Sequence, residues 1–130
     1  MAGNSYFVDT NIVIEFFRGN KKVISYLNEN RDFAISTIVL GELEFGVQNA
    51  KEHQKHGNQL KDFMVGVNLI NIDKETAVFY GKIKTELRKS GKPIPENDIW
   101  IAALALQHNL ILVTNDAHFD SVNSLKMQQI

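Results

Sequence analysis

Four acidic residues stand where an apolar stretch of this sequence ends, begins or is interrupted. Asp9 follows Tyr6–Val8, Glu42 interrupts IVLGELEFGV, Asp98 precedes IWIAALAL and Asp116 follows ILVTN. Carboxylates gathered within a few ångströms repel one another and raise each other's pKa values, unless a cation stabilises their ionised forms. A divalent metal ion removes this conflict. Oxygen ligands without cysteine or histidine clusters favour Mg²⁺ or Mn²⁺, so the four acids predict a site for one of these ions.

Helix capping is the simpler explanation for two of these acids. Asp9 and Asp98 both precede or open a predicted helix, where a carboxylate accepts backbone amide hydrogens and suits the positive end of the helix dipole. Glu42 falls inside a predicted helix and cannot cap it, so the complete set favours a site. His118 lies close to Asp116 in the sequence, but there is no second histidine nearby. We therefore expect it to have a surface or hydrogen-bonding role rather than to bind a metal.

The elements that must position these acids follow from the apolar runs and the turn residues between them. Short strands are predicted at 6–8, 33–35, 67–72 and 111–113, with a weak edge strand within 125–130. Helices are predicted at 11–17, 21–29, 37–48, 52–65 and 74–90, and from about 96 through IWIAALALQH. This alternation predicts an α/β fold, a single domain over 1–130, with a central parallel sheet of four to five short strands flanked by helices. Parallel sheets place their sites at the carboxyl ends of the strands, where Asp9 and Asp116 lie.

Composition narrows the class of protein. The 130 residues are 44% hydrophobic and 22% charged, with a net charge of −1, as expected for one globular domain. Near-neutral charge argues against nucleic-acid binding by bulk attraction alone. The chain has no cysteine, which excludes disulfides and thiolate zinc sites. The longest apolar run is far shorter than the roughly 20 residues that a membrane span needs. We therefore expect no membrane association and a cytoplasmic location.

The surroundings of the four acids resemble the PIN-domain family. The resemblance rests on VDTNIVIEF, STIVLGELEFGV, IPENDIWIAALAL and LVTNDAHF, which stand in the order and at the spacing of that family and cover essentially the whole chain. Within the family the sequence is most similar to the VapC-type toxins of type II toxin–antitoxin pairs. The segment YGKIKTELRKSGKPIPENDIWIAA is similar to the one that precedes the third acid in such toxins.

This resemblance implies an endoribonuclease in which Asp9, Glu42, Asp98 and Asp116 bind one or two Mg²⁺ or Mn²⁺ ions. It also implies a homodimer and a cognate antitoxin as partners, but it does not identify the RNA that is cut. Supporting hydrogen bonds to the metal ligands or the phosphate are implied for Asn11, Thr114 and Asn115. Asp120 lies close enough to Asp116 in the sequence to compete with it as the fourth acid.

Other functions fit parts of the pattern. A haloacid-dehalogenase-like phosphatase also has an aspartate at a strand end, but it needs a second acid two residues later, where Asn11 stands. A phosphorylation receiver needs an acceptor aspartate after the run FAISTIVLG, which has none. The remaining alternative is a PIN-fold interaction module without catalysis, although all four acids are present.

Two surface features have equally good simple and functional explanations. Residues 74–92 carry six basic and two acidic side chains, a charge of +4, which would either steer RNA phosphates or only solvate a helix. Phe16 and Phe17 are adjacent on a predicted helix, so either one of them faces a partner protein or the core-facing surface of the helix is wide.

Overall fold

Two neighbouring strands of a five-stranded sheet lead directly to Asp9 and Asp116, whereas Glu42 and Asp98 lie on helices. A computed structural model describes residues 5–130. Its strands are β1 (Tyr6–Val8), β2 (Ala34–Ser36), β3 (Asn68–Ile70), β4 (Ile111–Val113) and β5 (Met127–Gln128). They lie in the order β3-β2-β1-β4-β5, and every neighbouring pair is parallel. The predicted α/β fold with a parallel sheet flanked by helices is therefore confirmed.

Within residues 5–130, six α-helices connect and cover these strands. They are α1 (Thr10–Phe17), α2 (Lys21–Glu29), α3 (Thr37–Gln48), α4 (His53–Met64), α5 (Lys74–Lys89) and α6 (Glu96–Gln107). A short 3₁₀ helix, Ala117–Ser121, follows β4. No helix within residues 5–130 is long and apolar enough to span a membrane.

The order of the strands explains where a site can form. The chain moves outward in one direction from β1 to β2 and β3, and it then crosses back so that β4 lies on the other side of β1. Such a reversal leaves a crevice beyond the carboxyl ends of the two central strands. Asp9 follows β1 directly, and Thr114 follows β4, so both residues lie at this crevice.

The hydrophobic core holds the two central strands in place. Phe7, Leu112 and Val113 are fully buried, and so is the run from Ile101 to Ala105 in α6. This helix is apolar on almost every side, as expected for one that packs centrally. Trp100 belongs to the same helix but is only partly buried. It stacks on Tyr80 of α5 at a centroid distance of 4.0 Å, so it joins two helices at the surface.

The observed boundaries lie within two residues of the predicted ones, and β1, β4, α2 and α3 match at both ends. Phe33 was predicted to lie in a strand but precedes β2, although it is buried as the apolar run indicates. Phe16 and Phe17 are both partly buried, and their rings contact Phe63 of α4 at centroid distances of 5.3 and 5.4 Å. Both rings thus pack against α4, as a wide core-facing surface requires.

Candidate active site

Asp9 is buried at the carboxyl end of β1, with 4% of its surface exposed. Its Oδ1 accepts a hydrogen bond from the Thr10 backbone amide at 2.8 Å, so it does begin helix α1, as the capping explanation proposed. Its Oδ2 accepts from the Thr114 hydroxyl at 2.8 Å and from the Asn11 side chain at 3.0 Å. Capping therefore uses one oxygen, and the other is held by side chains from two chain segments.

Thr114, Asn11 and Asn115 form the support for Asp9. The Asn11 Nδ2 also lies 3.3 Å from Thr114 Oγ1, and its Oδ1 accepts a hydrogen bond from the Asn115 amide at 3.2 Å. The Asn115 side chain faces away from the acids, because its Oδ1 accepts from the Ile130 amide at 3.2 Å. Asn115 contacts this network through its backbone, whereas Asn11 and Thr114 contact Asp9 directly.

Glu42 lies on α3 and is oriented by two residues that the sequence analysis did not single out. Its Oε1 accepts a hydrogen bond from the Thr10 hydroxyl at 2.5 Å, and its Oε2 accepts from the Asn97 side chain at 3.3 Å. Each of these partners is next to one of the other acids in the chain, Thr10 after Asp9 and Asn97 before Asp98. That adjacency was the one signal in the sequence that could have identified them.

Asp98 lies in the first turn of α6 with 13% of its side chain exposed. The helix has no side-chain cap, so capping does not explain this acid. Its Oδ2 lies 3.3 Å from Nδ1 of His118, and the same nitrogen lies 3.1 Å from Oδ1 of Asp116. These distances fit the hydrogen-bonding role expected for His118, and they direct its ring nitrogen at two of the four acids.

The acids act on one another electrostatically. Burial raises the pKa of Asp9 above its usual value, hydrogen bonds from Thr114 and Thr10 oppose the rise, and repulsion by Glu42 and Asp116 adds to it. Burial, with repulsion from Asp9 and Asp116, raises the pKa of Asp98 to about 6 against the opposing effect of His118. Each of the four acids thus takes part in at least one of these repulsions, as expected of carboxylates that share a metal site.

The tightest potential ligand group differs from the predicted four. Among residues 5–130, a metal-ligating group of three with all ligand atoms within 4.8 Å of one another is formed by Asp98, Asp116 and His118. Asp9 and Glu42 lie beside this group rather than within it. Asp120 is exposed and does not belong to the group either. The chemistry of these donors, carboxylates that repel one another together with an imidazole, suits a divalent cation.

A groove of about 280 Å³ opens next to Glu42. It runs between α1, α3 and α4, and its walls are mostly apolar, with Ile14, Phe17, Leu43, Val47 and Leu60 among the lining residues. Arg18 lines the same groove and pairs with Glu15, and Lys84, one of the basic residues of 74–92, pairs with Glu96. Both pairs are solvent-exposed, so they contribute little to stability.

The sequence matches the PIN domain family over residues 6–125. Ribonuclease VapC2 of Rickettsia felis is 36% identical over 117 residues, which cover 85% of this chain and 86% of that protein. Ribonuclease VapC2 of Haemophilus influenzae is 34% identical over 126 residues, covering 95% and 96%.

A solved structure is similar over nearly the whole fold. It is the crystal structure of VapBC2 from Rickettsia felis bound to a DNA fragment of its promoter, which matches with a TM-score of 0.88 and 30% identity over 96% of this chain and 98% of that chain. The predicted family and fold are confirmed by these matches. The chain belongs to the PIN-domain family, and within it to the VapC-type toxins of toxin–antitoxin systems.

Proposed function

We propose that this protein is a metal-dependent endoribonuclease, the toxin of a toxin–antitoxin pair, in which Asp9, Glu42, Asp98 and Asp116 form the active site. The observation that carries the proposal is the gathering of these acids at the crevice beyond β1 and β4, where burial and, after it, repulsion between the carboxylates raise the pKa values of Asp9 and Asp98. An arrangement that costs the folded protein free energy at neutral pH is expected where a cation binds. The names of the relatives, ribonucleases of the VapC type, support RNA as the substrate.

We expect the ion to be Mg²⁺ or Mn²⁺, because most of the available donors are carboxylate oxygens. When bound, such an ion lowers the pKa of a coordinated water and withdraws charge from a phosphodiester, so that water can attack the phosphorus in line. No side chain of the protein then has to act as the nucleophile. By resemblance to the family, the products are expected to carry 5′-phosphate and 3′-hydroxyl ends.

The protein's own residues prepare this site by fixing the carboxylates. Thr114 and Asn11 hold one oxygen of Asp9, and Thr10 and Asn97 hold both oxygens of Glu42. Asp9 is buried, whereas Asp116 is half-buried and His118 is exposed. A phosphate group of RNA therefore approaches from the side of Asp116 and His118, with Asp9 at the bottom of the crevice.

The expected protein partners are an antitoxin and a second copy of the chain. The solved complex of VapBC2 from Rickettsia felis supports an antitoxin, and the apolar groove that ends at Glu42 provides a surface for it next to the acids. A bound segment there would reach the active site and block the approach of RNA. The homodimer rests on family resemblance, and size-exclusion chromatography with light scattering tests it. With RNA as the substrate, we expect the protein to act in the cytoplasm.

Cleavage of a folded, end-labelled RNA by the purified protein tests the function directly. We expect cleavage with Mg²⁺ or Mn²⁺, none after addition of EDTA, and none by an Asp9→Asn variant purified in parallel, which controls for contaminating nucleases. Circular dichroism must show that the variant is folded. Equal cleavage with and without the chelator would refute the metal mechanism. If the wild type binds neither a divalent ion nor RNA and cuts nothing, the alternative of a catalytically silent PIN-fold module takes its place.

A further inference from the structure

His118 is directed into the acidic site by the backbone that carries it. It lies in the short 3₁₀ helix after β4, and its amide donates a hydrogen bond of 2.9 Å to Oδ1 of Asp116. This bond fixes the first turn of the 3₁₀ helix, so the imidazole lies close to the carboxylates of Asp116 and Asp98. Nδ1 then lies 3.1 Å from Asp116 Oδ1 and 3.3 Å from Asp98 Oδ2. One nitrogen thus approaches an oxygen of Asp116, which caps the 3₁₀ helix, and an oxygen of Asp98 in α6.

These distances fit three ligands of one ion. An octahedral ion with bonds of about 2.1 Å has adjacent ligand atoms about 3 Å apart and opposite ones about 4.2 Å apart. The two nitrogen–oxygen distances correspond to adjacent positions. All three ligand atoms lie within 4.8 Å of one another, which leaves room for either arrangement of the two oxygens. Small movements are therefore enough to bring Asp98, Asp116 and His118 around one cation.

We propose that His118 Nδ1 is a ligand of the same ion as Asp98 and Asp116, and that this nitrogen makes the site select a first-row transition ion over Mg²⁺. The inference rests on the proposed function, since it concerns the same site. Mg²⁺ is a hard ion that prefers oxygen and retains its waters, whereas transition ions gain affinity from an imidazole donor. Mn²⁺ is the transition ion that also suits a set consisting mostly of carboxylates.

The ligand role requires a neutral imidazole with its proton on Nε2, because Nδ1 must present its lone pair. The His118 side chain is 54% exposed, so water can accept the Nε2 proton without cost to the fold. The competing explanation is that Nδ1 only donates hydrogen bonds to the two carboxylates. Both roles fit the same distances, so the test must separate a nitrogen donor to carboxylates from a nitrogen ligand of a metal.

A His118→Asn substitution distinguishes a hydrogen-bond donor from a metal ligand at this position. The amide nitrogen of asparagine occupies nearly the position of Nδ1 and can donate to Asp98 and Asp116, but it has no available lone pair for a metal. Its oxygen is a hard donor that suits Mg²⁺ as well as Mn²⁺. His108→Asn is the matched control, since His108 is exposed and ends α6, about 15 Å along the helix from Asp98.

Calorimetric titration of Mn²⁺ and of Mg²⁺ into the full chain, in separate experiments at one pH, measures the selectivity. We expect the wild type and His108→Asn to bind Mn²⁺ at least about 10-fold more tightly than Mg²⁺. In His118→Asn we expect Mn²⁺ affinity to fall about 10-fold or more, with Mg²⁺ affinity within about 3-fold of wild type. An unchanged ratio of the two affinities in His118→Asn would overturn the inference.

Electron spin-echo envelope modulation on bound Mn²⁺ supplies a readout that hydrogen bonding cannot produce. We expect the coupling of a directly bonded ¹⁴N in the wild type and in His108→Asn, and its loss in His118→Asn. A wild-type spectrum with Mn²⁺ bound but no such coupling refutes the role of His118 and leaves the proposed function intact. If neither ion binds the wild type, the proposed function fails together with the inference.

Discussion

The hydroxyl of Thr10 donates a hydrogen bond of 2.5 Å to Oε1 of Glu42, a residue 32 positions further along the chain. Asn97 holds the other carboxylate oxygen from the opposite side, at 3.3 Å. Glu42 is thereby held between the first residue of α1 and the first turn of α6. Since Thr10 follows Asp9 and Asn97 precedes Asp98, the direction of Glu42 is fixed by the same backbone that positions two other acids.

Replacing Thr10 with valine should therefore weaken metal binding without unfolding the protein. Valine keeps the branched shape but cannot donate to Glu42, so that carboxylate is free to leave the position in which it supports the ion. Loss of a hydrogen bond that orients a ligand typically lowers metal affinity about 10- to 100-fold. Calorimetric titration of Mn²⁺ measures this loss, and RNA cleavage should recover partly when the ion is in excess.

Thr10→Ser is the control for that experiment, since it retains the hydroxyl and should bind Mn²⁺ within about 3-fold of wild type. If valine and serine at this position bind the ion equally well, the hydrogen bond to Glu42 has no part in holding the site. The far-ultraviolet circular dichroism of both variants must match that of the wild type.

The parts of the site that could be predicted are those set by local sequence. Asp9 and Asp116 follow apolar runs that can only be buried strands, and parallel strands bring such residues to one edge. Thr10 and Asn97 could not be predicted in the same way. Their contacts with Glu42 span 32 and 55 positions and depend on how three helices pack, which no local pattern describes.

The other differences between the predicted and the observed structure also come from contacts that no local sequence pattern describes. The 3₁₀ helix that carries His118 is short and polar, so it has no periodicity to reveal it. The two phenylalanines of α1 are covered by Phe63 of α4, a helix whose sequence is largely polar. Only the folded arrangement shows that this helix brings an aromatic ring over them.

The raised pKa of Asp98 predicts how stability depends on pH. The folded protein holds this carboxyl at a pKa of about 6, mainly through burial and repulsion from Asp9, whereas the usual pKa of an aspartate in an unfolded chain is 3.8. Between these values the folded state binds more protons than the unfolded state, so the free energy of unfolding falls as the pH rises through 6. The pKa of Asp9 is also raised, so Asp9 contributes to the pH dependence in the same direction. In EDTA, the wild type should therefore gain stability as the pH is lowered from 7.5 to 5.

An Asp98→Asn variant isolates this contribution, because asparagine has no charge to bury. At pH 7.5 in EDTA it should be more stable than the wild type by about 1 to 2 kcal/mol after allowance for solvent screening, and the difference should shrink at pH 5. Urea unfolding followed by circular dichroism measures both values. A difference that is constant across this pH range would show that the titration of Asp98 is not its source. Asp120→Asn, at an exposed position, controls for the loss of an acid elsewhere.

The helix that carries Glu42 depends on Ser36 for its start. This serine is fully buried, and its Oγ accepts a hydrogen bond from the Val39 amide at 2.9 Å. Ser36→Ala leaves that amide without its acceptor and should cost about 1 kcal/mol, or about 4 °C in the midpoint of thermal unfolding. Ser90→Ala is the control, because the Ser90 hydroxyl only donates to a carbonyl of its own helix. Differential scanning calorimetry should show a shift in Ser36→Ala at least twice that in Ser90→Ala.

An aspartate-to-asparagine substitution at each position tests whether Asp116 or Asp120 is the fourth acid of the site. Asp116 repels Asp9 and Asp98 and lies in the group with His118, whereas Asp120 is exposed and outside that group. Asp116→Asn keeps the oxygen that accepts the His118 amide, so the 3₁₀ helix should remain, but the charge at the site is lost. We expect RNA cleavage to fall at least about 100-fold in this variant and to stay within about 2-fold of wild type in Asp120→Asn. Initial cleavage rates at saturating Mn²⁺ provide the comparison, and the opposite ranking would make Asp120 the fourth acid.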